Sequence, residues 1–291
     1  MKHKNCLLVM LIALMAVVAC AQASIQMKKP NAPKRANWQN EFAPLYGNVA
    51  SIKMEMEGDS GTFTFNEDGH VSSIVDNKSG EKRCYQYDSL GNKIMESREP
   101  DYNVMLMEHE YDSMGNITLT KIGNDVVFRY KYTYDDSGNL IEKISVTVWD
   151  DQRTSTEQNL YQYDNNGNLV EERDSDGTKV TYQYDYHKNL IEEQRYRNNE
   201  LRKRILYRYD SANNVIEKSD YNADGKLEDK EINKYDLAGN LIEKQSYNSD
   251  GQIEQRVYMK YDTIGNIIEI GILNDVGTPV NKIASFDIIY R

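Results

Sequence analysis

One phrase recurs along most of this chain: tyrosine-any-tyrosine-aspartate-any-any-glycine-asparagine-aliphatic. Its clearest copies run from Tyr132 to Leu140 and from Tyr161 to Leu169. The second tyrosine position is filled by Tyr87, Tyr111, Tyr134, Tyr163, Tyr184, Tyr209, Tyr235 and Tyr261, with Phe65 in an earlier, degenerate copy. Successive copies lie 21 to 29 residues apart. A recurrence of this size marks an array of supersecondary units, each burying its apolar face against the next, and not a single enzyme-like domain.

Each part of the phrase has a local physical reason. In Phe128-Arg129-Tyr130-Lys131-Tyr132-Thr133-Tyr134, aromatic and polar residues alternate strictly, the period of a half-buried strand. The aspartate opens a turn, where its side chain accepts from backbone donors two residues on. Glycine follows three positions later, where left-handed backbone is needed. Asn213 takes that place in one copy, and Lys188 does so in another at about 1 kcal/mol of steric cost. A second strand comes after the asparagine, as in Leu241-Ile242-Glu243-Lys244, and Asp176-Gly177, Asp224-Gly225 and Asp250-Gly251 reverse the chain again. Helical periodicity is missing. The expected fold is therefore all-β: an extended antiparallel meander of repeated β-hairpins, twisted and curled, with most of the sheet in a single layer.

Three segments are expected. Residues 1–19 read as an export signal, with Lys2 and Lys4 ahead of the apolar run Leu7 to Val18, which is too short to span a bilayer. Two cleavage readings stand side by side. Val17-Val18-Ala19-Cys20 resembles a lipobox and would leave Cys20 as the acylated first residue, whereas Ala21-Gln22-Ala23 suits ordinary cleavage after residue 23. Residues 20–45 form a tether holding Pro30, Pro33 and Pro44. The array occupies 46–291. At its start, Tyr46-Gly47-Asn48-Val49 looks like a repeat without its tyrosine strand. At its end, Phe286 to Arg291 looks like a tyrosine strand without its turn.

The phrases resemble the YD repeats, related to the RHS repeats of bacterial surface and toxin proteins and of the teneurins. The resemblance covers about 230 of the 291 residues. It implies a spiralled β-sheet of the kind that, in long members, closes into a hollow shell around a toxin. Here the repeats are too few to enclose a cargo, no toxin domain follows the array, and the proline-containing motif that ends a toxin-carrying region is missing. The chain is most similar to the short, exported, repeat-only form found in Bacteroidetes-like bacteria.

Charge and cysteine usage narrow the partners. Removing Lys2 and Lys4 with the leader takes the formal charge from −11 to about −13. Acidity of that size repels phosphate backbones and anionic lipid, which argues against nucleic acid and leaves the lipid anchor as the route to a membrane. With Cys6 in the leader and Cys20 at its boundary, Cys84 has no partner for a disulfide. His70, His109 and His187 fall at unrelated phases of the repeat, so no catalytic or metal-binding residues and no cofactor are expected. Residues 220–231 match a calcium-loop pattern, but strands flank them where the EF-hand needs helices.

The tyrosines form the candidate binding face: Tyr130, Tyr132, Tyr134, Tyr161, Tyr163, Tyr182, Tyr184, Tyr207 and Tyr209. Rings with polar tips suit sugars or proteins, and equally suit cross-strand packing. The expectation is a non-enzymatic, exported repeat protein offering a binding or scaffolding surface in the cell envelope to a protein or glycan. The alternative is a carbohydrate-binding module.

Overall fold

Alternating sequence becomes strand throughout. The computed structural model describes residues 45–56, 58–100, 103–149 and 153–291. The export signal, Cys20 and nearly all of the expected tether lie outside the described residues. Twenty strands form one sheet. The first five are β1 (Val49–Met56), β2 (Asp59–Phe65), β3 (Val71–Asp76), β4 (Lys82–Tyr87) and β5 (Lys93–Glu99). Then come β6 (Asn103–Tyr111), β7 (Ile117–Ile122), β8 (Asp125–Tyr134), β9 (Leu140–Val148) and β10 (Thr154–Tyr163). The chain continues through β11 (Leu169–Asp174), β12 (Thr178–Tyr184), β13 (Leu190–Arg197), β14 (Glu200–Tyr209) and β15 (Val215–Asn222). It ends with β16 (Leu227–Tyr235), β17 (Leu241–Tyr247), β18 (Ile253–Tyr261), β19 (Ile267–Leu273) and β20 (Pro279–Tyr290).

Every strand pairs antiparallel with the one before it, which is the expected meander. The curl anticipated from the repeats goes to completion, because β20 also pairs with β1, from Val49↔Tyr290 to Met56↔Ala284. The twelve-residue β20 serves both neighbours: residues 279–285 face β19 and residues 284–290 face β1. A closed ring leaves no unpaired sheet edge, the feature that otherwise invites aggregation.

The two incomplete phrases at the chain ends combine into one repeat. In a complete copy the Asp164 N–H donates to the Asn168 carbonyl at 2.9 Å, and Tyr163 faces Leu169 across a bulge. At the seam the Arg291 N–H donates to the Asn48 carbonyl at 2.8 Å, and Tyr290 faces Val49 across a bulge. Gly47 has φ +76°, as Gly167 does in the complete turn. Arg291 stands where other copies have aspartate. Its guanidinium donates to Asn48 Oδ1 at 3.0 Å, to the Asn66 carbonyl at 3.1 Å and to the Phe65 carbonyl, fastening both ends of the array to the first full turn.

Turn chemistry follows the phrase closely. Asp164 Oδ1 accepts the N–H groups of Asn166 and Asn168 at 2.9 and 2.8 Å, and Asn168 Nδ2 donates back to Asp164 Oδ2 at 2.9 Å. Lys188 and Asn213 take the glycine place with φ +65° and +63°. Lys188 also reaches back to donate to the Asn166 carbonyl at 3.1 Å, tying its turn to an earlier one.

The two faces of the ring differ. Met54 and Phe63 lie on the face continuous with the tyrosines and are only 1% and 2% exposed. No second layer exists among the described residues, so this face is the concave, inner one. Two apolar clusters fill part of it. One gathers Val49, Ile52, Met54, Phe63 and Phe65, and the other Leu241, Met259 and Ile270, with Phe286 packed against both. From β4 to β12, by contrast, Gly91 and Thr120 are the buried residues among those described. The inner face is thus packed near the seam and half-open opposite it. Outside, the glutamate after several of the aliphatic pairs takes a basic partner across strands, such as Arg204–Glu192 at 2.7 Å and Lys260–Glu269 at 2.7 Å.

Truncation after Ile289 removes Tyr290 and Arg291 and with them several seam hydrogen bonds, each worth about 1 kcal/mol net. Urea unfolding is expected to show a loss of about 2–4 kcal/mol for this variant. Ile289→Ala, at an exposed outer position, is expected to stay within about 0.5 kcal/mol of the parent. Equal midpoints for parent and truncation would show that the seam does not hold the ring.

Candidate functional site

The inner tyrosines divide into two sets with different work. The second tyrosine of a phrase points its hydroxyl at the preceding repeat. In six repeats it donates to the carbonyl of the aliphatic residue that ends the preceding phrase: Tyr87 to Val71, Tyr163 to Leu140, Tyr184 to Leu169, Tyr209 to Leu190, Tyr235 to Val215 and Tyr261 to Leu241, at 2.6 to 3.0 Å. Each bond clamps two hairpins together at one rim of the ring. It also satisfies a carbonyl at the bulge, where the ladder leaves it without a strand partner.

Three repeats depart from this pattern, and register explains all three. In the regular junctions the residue two past the aliphatic position faces the residue three before the second tyrosine, as Glu142 faces Leu160 and Glu192 faces Leu206. At β5–β6, β7–β8 and β19–β20 the partner lies five before it: Met95↔Leu106, Leu119↔Arg129 and Glu269↔Ser285. A slip of two keeps every side chain on its face. It also carries the tyrosine past the carbonyl and onto the preceding turn. Tyr111 accordingly donates to Asp88 and accepts from Asn92 Nδ2 at 3.1 Å. Tyr134 accepts from Asn116 Nδ2 at 2.6 Å, and Tyr290 bonds Asp262 and Asn266.

The first-position tyrosines make no such clamp. Tyr130 and Tyr132 stack with centroids 6.4 Å apart, and Phe128 continues the column at 6.2 Å from Tyr130. Lys143 Nζ lies 5.4 Å over the Tyr130 ring. Burial raises the phenol pKa of Tyr130, Tyr161 and Tyr207, and pushes Tyr132 up to about 12, with no hydrogen bond contributing. Tyr182 is intermediate, donating to Glu172 at 3.3 Å. Of the nine candidate residues, then, Tyr134, Tyr163, Tyr184 and Tyr209 are fasteners, whereas Tyr130, Tyr132, Tyr161 and Tyr207 present unengaged hydroxyls on the inner face. Tyr130, Tyr132 and Tyr161 lie along its half-open part.

The remaining chemistry is distributed. Asp220 is buried inside with Lys203 Nζ at 2.5 Å and Lys218 Nζ at 3.3 Å, the second a contact of charge without directed hydrogen-bond geometry. Asn222 Oδ1 accepts the N–H groups of Asp224 and Lys226, so the calcium-like stretch is spent on a salt bridge and a turn. Among the described residues, no group of three or more His, Cys, Asp or Glu side chains is placed to hold a metal ion. His109 bridges Thr120 Oγ1 at 3.0 Å and the Lys93 carbonyl at 2.9 Å, while His70 stacks on Tyr87. Beside the slipped β5–β6 junction lies an open cavity of about 470 Å³ whose lining includes Asp88, Met95, Leu106, His109 and Tyr111.

A closed antiparallel ring of YD hairpins, clamped by its second tyrosines, defines the class of protein. The RHS Repeat family model matches residues 163–201, which run from one fastening tyrosine through the next complete phrase. No curated protein matches the chain. Among solved structures, a TcdB2-TccC3 structure aligns over 90% of this chain and 14% of that one, at 15% identity and a TM-score of 0.42. A Tc holotoxin pore structure from Photorhabdus luminescens aligns over 87% of this chain and 16% of that one, at 14% identity and a TM-score of 0.40. A porin-like protein from Bacteroides uniformis aligns over 84% of this chain and 99% of that one, at 9% identity and a TM-score of 0.34. The chain thus spans about a seventh of the toxin chains it resembles.

The two tyrosine sets are separable by experiment. Tyr209→Phe is expected to lower stability by about 0.5–1.5 kcal/mol in urea unfolding, because it orphans the Leu190 carbonyl, whereas Tyr132→Phe is expected to leave it nearly unchanged. Equal losses at both positions would remove the distinction. Alkaline pH provides a second check. Burial holds Tyr132, Tyr209 and Tyr235 at about 12, against about 10 in an unfolded chain. Their preference for the neutral form therefore stabilises the fold fully below about pH 10 and is lost as pH rises toward 12. Phenolate absorbance is expected to rise in two phases, the later one coinciding with loss of the β-sheet circular dichroism signal.

Proposed function

We propose that this chain is a non-enzymatic, exported repeat protein whose ring is a scaffold carrying a binding surface in a bacterial envelope, held through Cys20 where the lipobox is used. The observation that carries this reading is the division of the tyrosines. Once the second-position hydroxyls are committed to the scaffold, Tyr130, Tyr132 and Tyr161 remain as half-exposed rings with free polar tips on a preformed concave face. Such rings supply broad contact area at low entropic cost. The partner is an envelope protein or a glycan.

A carbohydrate ligand is favoured by one feature. The Phe128-Tyr130-Tyr132 column presents stacked faces with Lys143 beside them, and flat aromatic faces flanked by polar groups suit the C–H and O–H sides of a sugar ring. The test is a glycan array and an envelope-extract pull-down, run with the parent, a Tyr132→Ala/Tyr161→Ala double variant and Tyr163→Phe. Binding lost in the double variant and kept in Tyr163→Phe is the expected result. Binding kept in the double variant, with its fold intact, would move the surface elsewhere on the ring. Mass spectrometry of the mature N-terminus reports acylation of Cys20 independently.

A further inference from the structure

The ring has two unlike rims. On one side lie the YD turns, and on the other the hairpins that link one phrase to the next. Because each YD aspartate bends its carboxylate inward onto its own backbone N–H groups, as Asp236 does toward Ala238 and Asn240, the turn tips are left to the two residues that follow. Along one arc those tips carry an apolar residue, beside His187, Ser211 or Thr263 in three of the turns, and two turns farther round carry Leu90 and Met114. Tyr186 is 89% exposed, Leu237 fully so, and Ile264 and Tyr46 about half; Ala212 fills the turn between Tyr186 and Leu237. Neighbouring turns are two strands, or about 10 Å, apart. Just outside the rim, the second aliphatic residue of the phrase adds Ile191 and Ile242, both exposed. The turns of the opposite rim are mainly Asn, Asp, Ser and Gly, with Val276 and Trp149 exposed among the described residues, and the strand ends beside them add Val104, Met105, Ile253 and Val280. A grouped apolar arc of this kind is informative where single exposed leucines are not.

We propose that this arc seats the ring on a lipid bilayer surface. Three observations select lipid over other occupants. First, the chain enters the ring at this rim: Tyr46 donates its N–H to Asn266 Oδ1 at 2.8 Å and accepts from Asn266 Nδ2 at 2.8 Å, so it is docked onto the turn that carries Ile264. The described chain therefore begins at the apolar side. Second, the wall of the ring is lined outside with salt bridges such as Arg208–Glu217 and Lys234–Glu243, which suits water and not acyl chains. Contact with lipid is thereby confined to the rim. Third, a chain of this acidity gains nothing from anionic headgroups, so adhesion must come from apolar side chains entering the interface, where Leu and Tyr are at home. Seating the arc would turn the opposite rim and most of the acidic wall away from the membrane.

This inference rests on the envelope reading for its setting but not for its test, which uses the ring alone. Residues 45–291 are purified and mixed with sedimenting vesicles of phosphatidylethanolamine containing a minority of phosphatidylglycerol. The ring is expected to co-sediment, and high salt is expected not to release it. A Leu237→Ser/Ile264→Ser double variant is expected to weaken the partition at least about tenfold, since binding scales with the apolar area inserted. Val276→Ser, on the opposite rim, is expected to bind as the parent does. Leu237 makes no packing contribution at full exposure, so Leu237→Ser alone serves if the double variant loses its circular dichroism melt. Failure of the parent to sediment overturns the proposal, as does binding that survives the rim substitutions. It is also overturned if the parent forms a dimer on size exclusion that the same substitutions dissolve, since the arc would then be covered by a second copy. None of these results bears on whether Tyr132 and Tyr161 bind a glycan.

Discussion

A single phenol-to-carbonyl hydrogen bond, repeated around the ring, governs how one hairpin meets the next. Backbone ladders alone would leave the relation between repeats loosely specified, because a shift of two residues preserves the inner and outer faces and costs little in pairing. The second tyrosine distinguishes the two registers by where its hydroxyl lands. In one register it reaches a carbonyl freed by the bulge, and in the other the aspartate and asparagine of the turn. Both endpoints are polar groups of the preceding repeat, so the same residue type supports two junction geometries. The ring can therefore contain slipped and unslipped junctions without losing its fasteners.

Closure changes the energetics of a long meander. An open sheet of this length exposes two edges, and no second layer among the described residues could bury its half-polar inner face. Joining the ends removes the edges and makes the inner face concave, which allows Met54 and Phe63 to be enclosed although they belong to a single layer. The salt bridges outside and the paired charges inside, such as Lys244 with Glu231 at 2.6 Å, then occupy positions that apolar residues fill in a conventional two-layer core.

Much of this was legible in the sequence, and the illegible part has a clear cause. Turn chemistry could be read residue by residue because it is local: Asp164, Gly167 and Asn168 satisfy one another within five positions. The half-phrases at Tyr46 and Phe286 were likewise visible, since each is a recognisable fragment. What the fragments do together was not, because joining them needs a contact between residues 48 and 291. Register was hidden for a different reason. The spacing from Tyr134 to Tyr163 equals that from Tyr261 to Tyr290, yet the first junction is regular and the second slipped. The division of the tyrosines was obscured because both positions carry the same residue, and only the reach of the hydroxyl tells Tyr161 from Tyr163.

The split repeat at the seam also sets an order of events during synthesis. Hairpins from β1 onward can form as they emerge, since each turn is encoded within a few residues and each clamp reaches back only to the repeat just completed. The last join is different in kind. β1 must wait as a naked edge, with its Val49-to-Met56 backbone unsatisfied on one side, until Tyr290 and Arg291 have left the ribosome. Throughout that interval the partly made chain is a template for any passing strand, including β20 of a neighbouring copy. The protein is thus most open to exchange with its own kind just before it becomes a closed object that offers no edge at all.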